Sequence, residues 1–251
     1  MHLGFNTGQP LKVLVAGASR GIGRALVLRL LQSSDVVQVF AVARNWSQDM
    51  PDDARLICLN ADLTDELAVQ SLADRVAGQC GQLDMLINTV GFLHEPGGQQ
   101  PEKSIRQLSL TALLQSMTIN AAVPALLAKA FLPLLRGKHR CIFASLSARV
   151  GSIGDNRLGG WYAYRASKAA QNMLMRSFAV EWQRLNANSI CLLLHPGTTD
   201  TELSAPFQAN VPEGKLFTTD FVAERLLAVM AQRSPADSGQ FFAWDGQPIP
   251  W

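Results

Sequence analysis

Short runs of apolar residues alternate with longer stretches in which apolar residues recur every three or four positions, from residue 11 nearly to the C-terminus. Leu11–Ala16, Val36–Ala43, 55–60, 84–87, 140–146, 189–194 and Gln240–Ala243 are the short runs, and they read as strands covered on both faces. Between them the 3.6-residue period predicts helices over 23–31, from Thr64 as N-cap to about Ala77, over 104–137, from about Trp161 to Arg184, and over 219–233. Asn120, Pro124 and Pro133 interrupt 104–137, which predicts a bent helix or two that abut. Residues 94–101 and the glycine-bearing 151–160 read as loops, and 198–217 as a mobile loop or small helical insertion. About seven strands, each separated by helix, predict one α/β domain over residues 1–251. Its expected form is a Rossmann-type doubly wound parallel sheet with helices on both faces. In such sheets ligands sit beyond the carboxyl ends of the strands, where every motif below lies.

Composition narrows the function classes. Among 251 residues, 22 are Lys or Arg and 20 Asp or Glu, giving a net charge of +2 with both signs mixed along the chain. This leaves no basic footprint for nucleic acid or an anionic membrane. Residues 1–10 lack a basic segment followed by an apolar one, and no window approaches bilayer-spanning length, so a cytoplasmic protein is expected. Cys58, Cys141 and Cys191 fall in strands expected to be buried and Cys80 follows a helix. With the four histidines scattered, free thiols and no metal site are the reading.

Gly17, Gly21 and Gly23 form G-x-x-x-G-x-G between the first strand and the first helix. Glycines there permit a sharp turn and close approach of a pyrophosphate, whose charge then faces unpaired N–H groups at the helix start. Tyr164 and Lys168 are four apart on one predicted helix face, whereas Tyr162 is on another. An ammonium beside a phenol favours the phenolate and suits the pair to proton transfer. Ser147, just after a buried strand, has a hydroxyl able to donate to a substrate oxygen or to satisfy local backbone. Asn120, in an otherwise apolar helix, needs a partner for its amide; a kink held by water and a proton-relay station are both compatible.

Gly17-x-x-x-Gly21-x-Gly23, Asp62, Asn88 to Gly91, Asn120, Ser147, Tyr164-x-x-x-Lys168 and Pro196-Gly197, in that order, resemble the short-chain dehydrogenase/reductase family over essentially the whole chain. The stretches 144–153, 159–168 and 242–246 are similar to the branch that includes C-factor signalling proteins and carbonyl reductases. The resemblance implies that Tyr164 is the catalytic acid or base, with Lys168 binding the nicotinamide ribose and lowering the tyrosine pKa. It implies that Ser147 holds the substrate carbonyl and Asn120 supports a water linking the lysine to solvent. Gly17, Ser19, Arg20, Gly21, Ile22 and Gly23 would then cradle the cofactor, Asp62 would hydrogen-bond adenine with Leu63 also in contact with the cofactor, and Asn88, Thr89, Val90 and Gly91 would form the floor. Pro196, Gly197, Thr199 and Thr201 would lie beside the nicotinamide amide and pyrophosphate.

Two positions depart from the family pattern. Asn88 and Gly91 keep the ends of Asn-Asn-Ala-Gly, but Thr89 and Val90 replace its middle. Counting three back from Gly151 gives Ala148, so Ser147 stands one place early and Ser145 is a second candidate. Where an acidic residue would accept from the adenosine ribose and repel a 2′-phosphate, the chain has Arg44, with Arg20 in the glycine turn. Two guanidiniums suit a 2′-phosphate, hence NADP(H) over NAD(H). The expected function is hydride exchange between nicotinamide and a carbonyl or secondary alcohol. Phe92, Leu93, His94, Leu146, Trp161 and the 198–217 loop would line a mostly apolar pocket for this small-molecule substrate. A non-catalytic nucleotide-binding signalling protein and a 3-oxoacyl thioester reductase are the alternatives, and family resemblance implies a homodimer or homotetramer.

Overall fold

The computed structural model describes residues 5, 9–46, 49–95 and 97–251. His2 and most of the stretch 1–10 read above lie outside them. Seven parallel strands form one sheet in the order β3-β2-β1-β4-β5-β6-β9, where β1 is Leu11–Ala16, β2 Val36–Ala43, β3 Leu56–Asn60, β4 Met85–Asn88, β5 Cys141–Leu146, β6 Ser189–His195 and β9 Gln240–Ala243. The chain reverses direction of travel across the sheet between β1 and β4, so their carboxyl ends open a crevice. Strand geometry sends successive side chains to opposite faces. Leu14 and Ala16 of β1, with Cys141 and Phe143 of β5, enter one core. Val13 and Val15, with Ile142 and Ala144, enter the other.

Helices α2 (Glu66–Ala77), α4 (Val123–Leu135) and α5 (Tyr162–Leu185) cover the first face, burying Leu72, Phe131 and Trp182. Helices α1 (Gly21–Leu31) and α6 (Thr219–Ala231) cover the second, burying Leu26, Leu30, Val222 and Leu226. The fold is therefore the expected single-sheet, two-faced α/β architecture.

Several local readings change. The cap of α2 is Asp65, whose carboxylate accepts from the backbone N–H of Leu67 and Ala68. Thr64 instead donates its hydroxyl to Asp62 at 2.7 Å. Cys58 is exposed because β3 is the edge of the sheet, while Cys80, Cys141 and Cys191 are buried. Residues 104–137 divide into a 3₁₀ turn, Ile105–Gln107, then α3 (Leu110–Met117), a π turn at Thr118–Ala122, and α4. Pro124 lies in the first turn of α4, directly after the π turn, and Pro133 lies inside the helix.

Leu110–Leu135 forms one helical run of 26 residues that is long and apolar enough to cross a membrane, so a window of bilayer-spanning length and composition does exist. Its apolarity has a packing cause: Val123, Leu127, Phe131, Leu134 and Leu135 pack into the core under the sheet. Residues 198–217 contain two short parallel strands, β7 (Thr198–Thr199) and β8 (Leu216–Phe217), around a 3₁₀ helix, Ala205–Asn210.

Candidate active site

The glycine turn follows β1 at the mouth of the crevice. Gly17 has φ +85°, and a Cβ on Gly23 would stand 2.2 Å from the Gly17 carbonyl oxygen, so only a hydrogen fits there. Thr89, just after β4, donates its hydroxyl to the carbonyls of Ala16 (2.8 Å) and Gly17 (3.1 Å) and clamps the turn. Helix α1 starts at Gly21, two residues earlier than its period indicated. Its first turn has neither a side-chain cap bond nor an acidic residue. Helix-start N–H groups without such a cap suit an anion.

The segment after β6 closes over this turn. A Cβ on Gly21 would lie 3.3 Å from the Thr201 methyl, and Arg20 is ion-paired with Glu202 at 2.5 Å. Thr199 is buried, and its Oγ1 has no hydrogen-bond partner. A partnerless buried hydroxyl two residues before the Thr201 that packs on the glycine turn fits a polar ligand group at this end of the crevice.

The other expected cofactor residues lie at or just after the carboxyl ends of the strands, with Ile22 in the first turn of α1. Leu63 and Val90 turn apolar side chains toward the first core, and Ile22 packs against the second. Asn88 is fully buried at the end of β4, donating to Ser145 Oγ at 2.9 Å and accepting from the Val90 N–H at 3.2 Å. Asp62 accepts from the Thr64 hydroxyl and N–H, which hold its carboxyl below the usual range, with Arg44 adding a smaller pull. Arg44 is exposed directly after β2. Ser19, Gly91, Pro196 and Gly197 lie in the turns at the same strand ends.

Helix α5 begins under strain. Gly159, Gly160 and Trp161 all have positive φ, Trp161 at 50°, and the Trp161 N–H donates to the Glu102 carbonyl at 2.6 Å. A tryptophan in the left-handed region costs energy and marks a segment held by its surroundings. Its ring is 6.1 Å from that of Tyr164 and 5.0 Å from that of Phe207, while His94 meets Phe207 at 5.5 Å. An aromatic wall therefore stands beside the Tyr164 ring. Leu93 and Leu146 are buried, and Phe92 is half-buried.

Tyr164 and Lys168 are buried on the same face of α5, with the ammonium nitrogen 5.9 Å from the phenol ring centre. Burial raises the Tyr164 pKa above its ordinary value and lowers that of Lys168 to about 7. The expected lowering of the phenol pKa by the ammonium is thus outweighed here by desolvation. Asn120 sits in the π turn, accepts from the Phe92 N–H (2.7 Å), and donates to the Phe92 carbonyl (2.8 Å) and Ser167 Oγ (2.9 Å). Protein groups take both hydrogens of its amide and one lone pair of Oδ1.

Ser147 and Ser145 are both turned into the protein. Ser147 donates to Asn172 Oδ1 at 2.6 Å, and Ser145 accepts from Asn88 and Gln171. Sequence reading passed over Gln171, Asn172 and Ser167, and it took in Glu202 and Phe207 only as part of the 198–217 loop. Of these, Gln171 had a signal, a polar residue seven after Tyr164 on the face that carries the pair.

A glycine turn at the switch point and a buried Tyr–Lys pair across the crevice define a dinucleotide-dependent oxidoreductase. The family model described as short chain dehydrogenase matches residues 11–212. The chain is 30% identical over 241 residues, 95% of this chain and 99% of the relative, to 1-hydroxy-2-glutathionyl-2-methyl-3-butene dehydrogenase of Rhodococcus sp. (strain AD45). It is 33% identical over 171 residues, 68% of this chain and 94% of the relative, to C-signal of Myxococcus xanthus. Among solved structures, NADPH-bound carbonyl reductase from chicken fatty liver superimposes with TM-score 0.83 at 28% identity, covering 97% of this chain and all of that one. The chain belongs to the short-chain dehydrogenase/reductase family and is an NAD(P)-dependent oxidoreductase acting on CH–OH or C=O groups.

Proposed function

We propose that the protein is an NADP(H)-dependent reductase and dehydrogenase that interconverts an apolar or aromatic carbonyl compound and its secondary alcohol, with Tyr164 as the proton donor and acceptor. The observation that carries this reading is the Tyr164–Lys168 pair buried beside Trp161 and Phe207 at the crevice mouth. Bound nicotinamide supplies or accepts the hydride. The chain's own residues that would hold it are Gly17 to Gly23, Asn88 to Gly91 and Thr199. Because burial keeps the phenol protonated at neutral pH, Tyr164 is set to donate to a carbonyl oxygen. The experiment is a panel of aliphatic and aromatic carbonyl compounds followed by NADPH absorbance, with Tyr164→Phe beside it.

Arg44 and Arg20 support NADP(H) over NAD(H). A charge-assisted contact to a 2′-phosphate contributes roughly 1.5–3 kcal/mol. Arg44→Glu is therefore expected to raise the KM for NADPH by about 10- to 100-fold and to leave that for NADH unchanged or lower. Equal effects on both cofactors would remove the assignment. The Arg20–Glu202 pair is exposed and contributes little to stability, so it yields readily to a phosphate.

Ser147 is the proposed holder of the substrate carbonyl, and in that role its proton turns from Asn172 to the substrate. Ser147→Ala is then expected to lower kcat at least about tenfold, in line with losing one oxyanion donor. Unchanged kcat would leave Ser147 as a brace for Asn172. Exposed Leu110 and Leu114 of α3, with Met173 and Val180 of α5, support a homodimer or homotetramer, which light scattering after gel filtration tests. Similarity to C-signal favours a second reading, in which bound nucleotide serves signalling. Signalling that survives Tyr164→Phe would separate the two.

A further inference from the structure

Helix α5 carries Tyr164, Lys168 and Gln171 at i, i+4 and i+7, one face of one helix, and Gln171 is completely buried. Its amide cannot be turned around. Nε2 faces the Leu146 carbonyl (3.1 Å), which only accepts, and Ser145 Oγ (2.8 Å). Oε1 faces the Lys168 ammonium (2.9 Å), which only donates. Ser145 is held from its other side by Asn88 Nδ2 at 2.9 Å, so the chain of bonds runs from the end of β4 through β5 to the lysine.

The lysine has an unusual setting. Its ammonium donates to two neutral oxygens, Leu146 O at 2.9 Å and Gln171 Oε1, and among the described residues it has no carboxylate partner. Tyr164 on α5 is the titratable group facing it. Strand β5 presents Ser145 and Leu146, the segment after β4 presents Gly91, and the π turn presents Asn120; none of these titrates. Gly151 packs on the Lys168 stem, and its neighbour Arg149 is ion-paired outward with Asp155 at 3.3 Å.

We propose that Gln171 is a positioning residue for Lys168: its locked Oε1 fixes the ammonium behind Tyr164 and keeps a buried, carboxylate-free lysine charged for the cofactor and the phenol. The proposal rests on Lys168 having the role given above. Each neutral acceptor offsets part of the desolvation that burial imposes on the ammonium. Removing Oε1 leaves Leu146 O as the remaining acceptor and favours loss of the proton. A carboxylate in its place has the opposite effect.

The test has an arm that needs no turnover. Unfolding free energy of the cofactor-free protein is measured by denaturant from pH 5.5 to 9.5 for wild type, Gln171→Leu and Gln171→Glu, each with and without Lys168→Met. Lys168 has a lowered pKa in the folded state, to about 7 against an ordinary 10.5, so its burial penalty is full below the folded pKa. Stability then rises with pH from there to the unfolded value. In Gln171→Leu this rise is expected to begin about one pH unit lower, and in Gln171→Glu about one unit higher. The Gln171→Leu displacement should vanish in the Lys168→Met background.

In the second arm, NADPH binding is titrated by fluorescence at pH 8. Gln171→Leu is expected to weaken it by about fivefold or more, a charge-assisted contact being at stake. Equal pH profiles for all three proteins, or a Gln171→Leu displacement that persists with Lys168→Met, would overturn the proposal and leave Gln171 as packing. Displacements as expected, in a wild-type protein that binds no NADPH, would uphold the coupling to Lys168 and refute the cofactor reading instead.

Discussion

Tyr164→Phe is expected to lower kcat for carbonyl reduction by about 10²- to 10⁴-fold, the range that positioned proton transfer contributes. The KM for NADPH should stay within roughly twofold, since a uniform binding contact is not what is lost. The substitution removes one oxygen from a buried ring and keeps the ring itself, so contact with Trp161 at 6.1 Å and with the Lys168 ammonium at 5.9 Å is retained. Fold and melting temperature should therefore change little, which separates a chemical effect from a structural one. The same phenol sets the pH dependence. Burial raises its pKa, so it remains a proton donor through neutral pH. Alcohol oxidation needs the phenolate and should rise with pH up to the alkaline limit of stability. Steady-state rates in both directions from pH 6 to 10 check this. Retention of a tenth or more of wild-type kcat by Tyr164→Phe would displace it from the chemistry.

The second large effect is expected at the glycine turn. A methyl group on Gly23 would meet the Gly17 carbonyl oxygen at 2.2 Å, Thr89 Oγ1 at 2.6 Å and the Gly17 carbonyl carbon at 2.9 Å. Two of these are backbone atoms at the end of β1, and they move only if the strand end or α1 moves. Overpacking of this kind costs about 1–3 kcal/mol. In a domain of this size that corresponds to a fall in Tm of roughly 3–10 °C. NADPH affinity should fall at least about tenfold, because the displaced N–H groups are those offered to the pyrophosphate. Gly81→Ala is the control, since nothing lies within 4 Å of a Cβ there. Calorimetry and fluorescence titration read the two losses. If Gly23→Ala binds NADPH as wild type does, the pyrophosphate does not lie on this turn.

Features that depend on local periodicity were legible from the residues alone, and those that depend on distant partners were not. The strands are near-continuous apolar runs because both sheet faces are covered, and all seven were read within a residue or two of their ends. Cys58 broke that reading because an apolar run does not say which strand is at the edge of the sheet. Thr64 and Asp65 are both good caps, and the choice turned on the Thr64 hydroxyl bonding Asp62. The polar interruption at Asn120 was visible. That it becomes a π turn tied to Phe92 and Ser167 required knowing that the segment after β4 passes there.

The order of strands and helices, the glycine turn between β1 and α1, and the placing of Tyr164 and Lys168 on one helix face were determined by the sequence itself, because each is set by spacing within a few residues. Only the tertiary structure decided that Ser147 gives its proton to Asn172, that Arg20 reaches Glu202, and that Lys168 leans on Gln171 rather than on a carboxylate. The physical reason is that the charge state of a buried lysine and the direction of a buried hydroxyl are set by whichever acceptors packing brings within about 3 Å. Sheet pairing selects those acceptors from segments far apart in the chain.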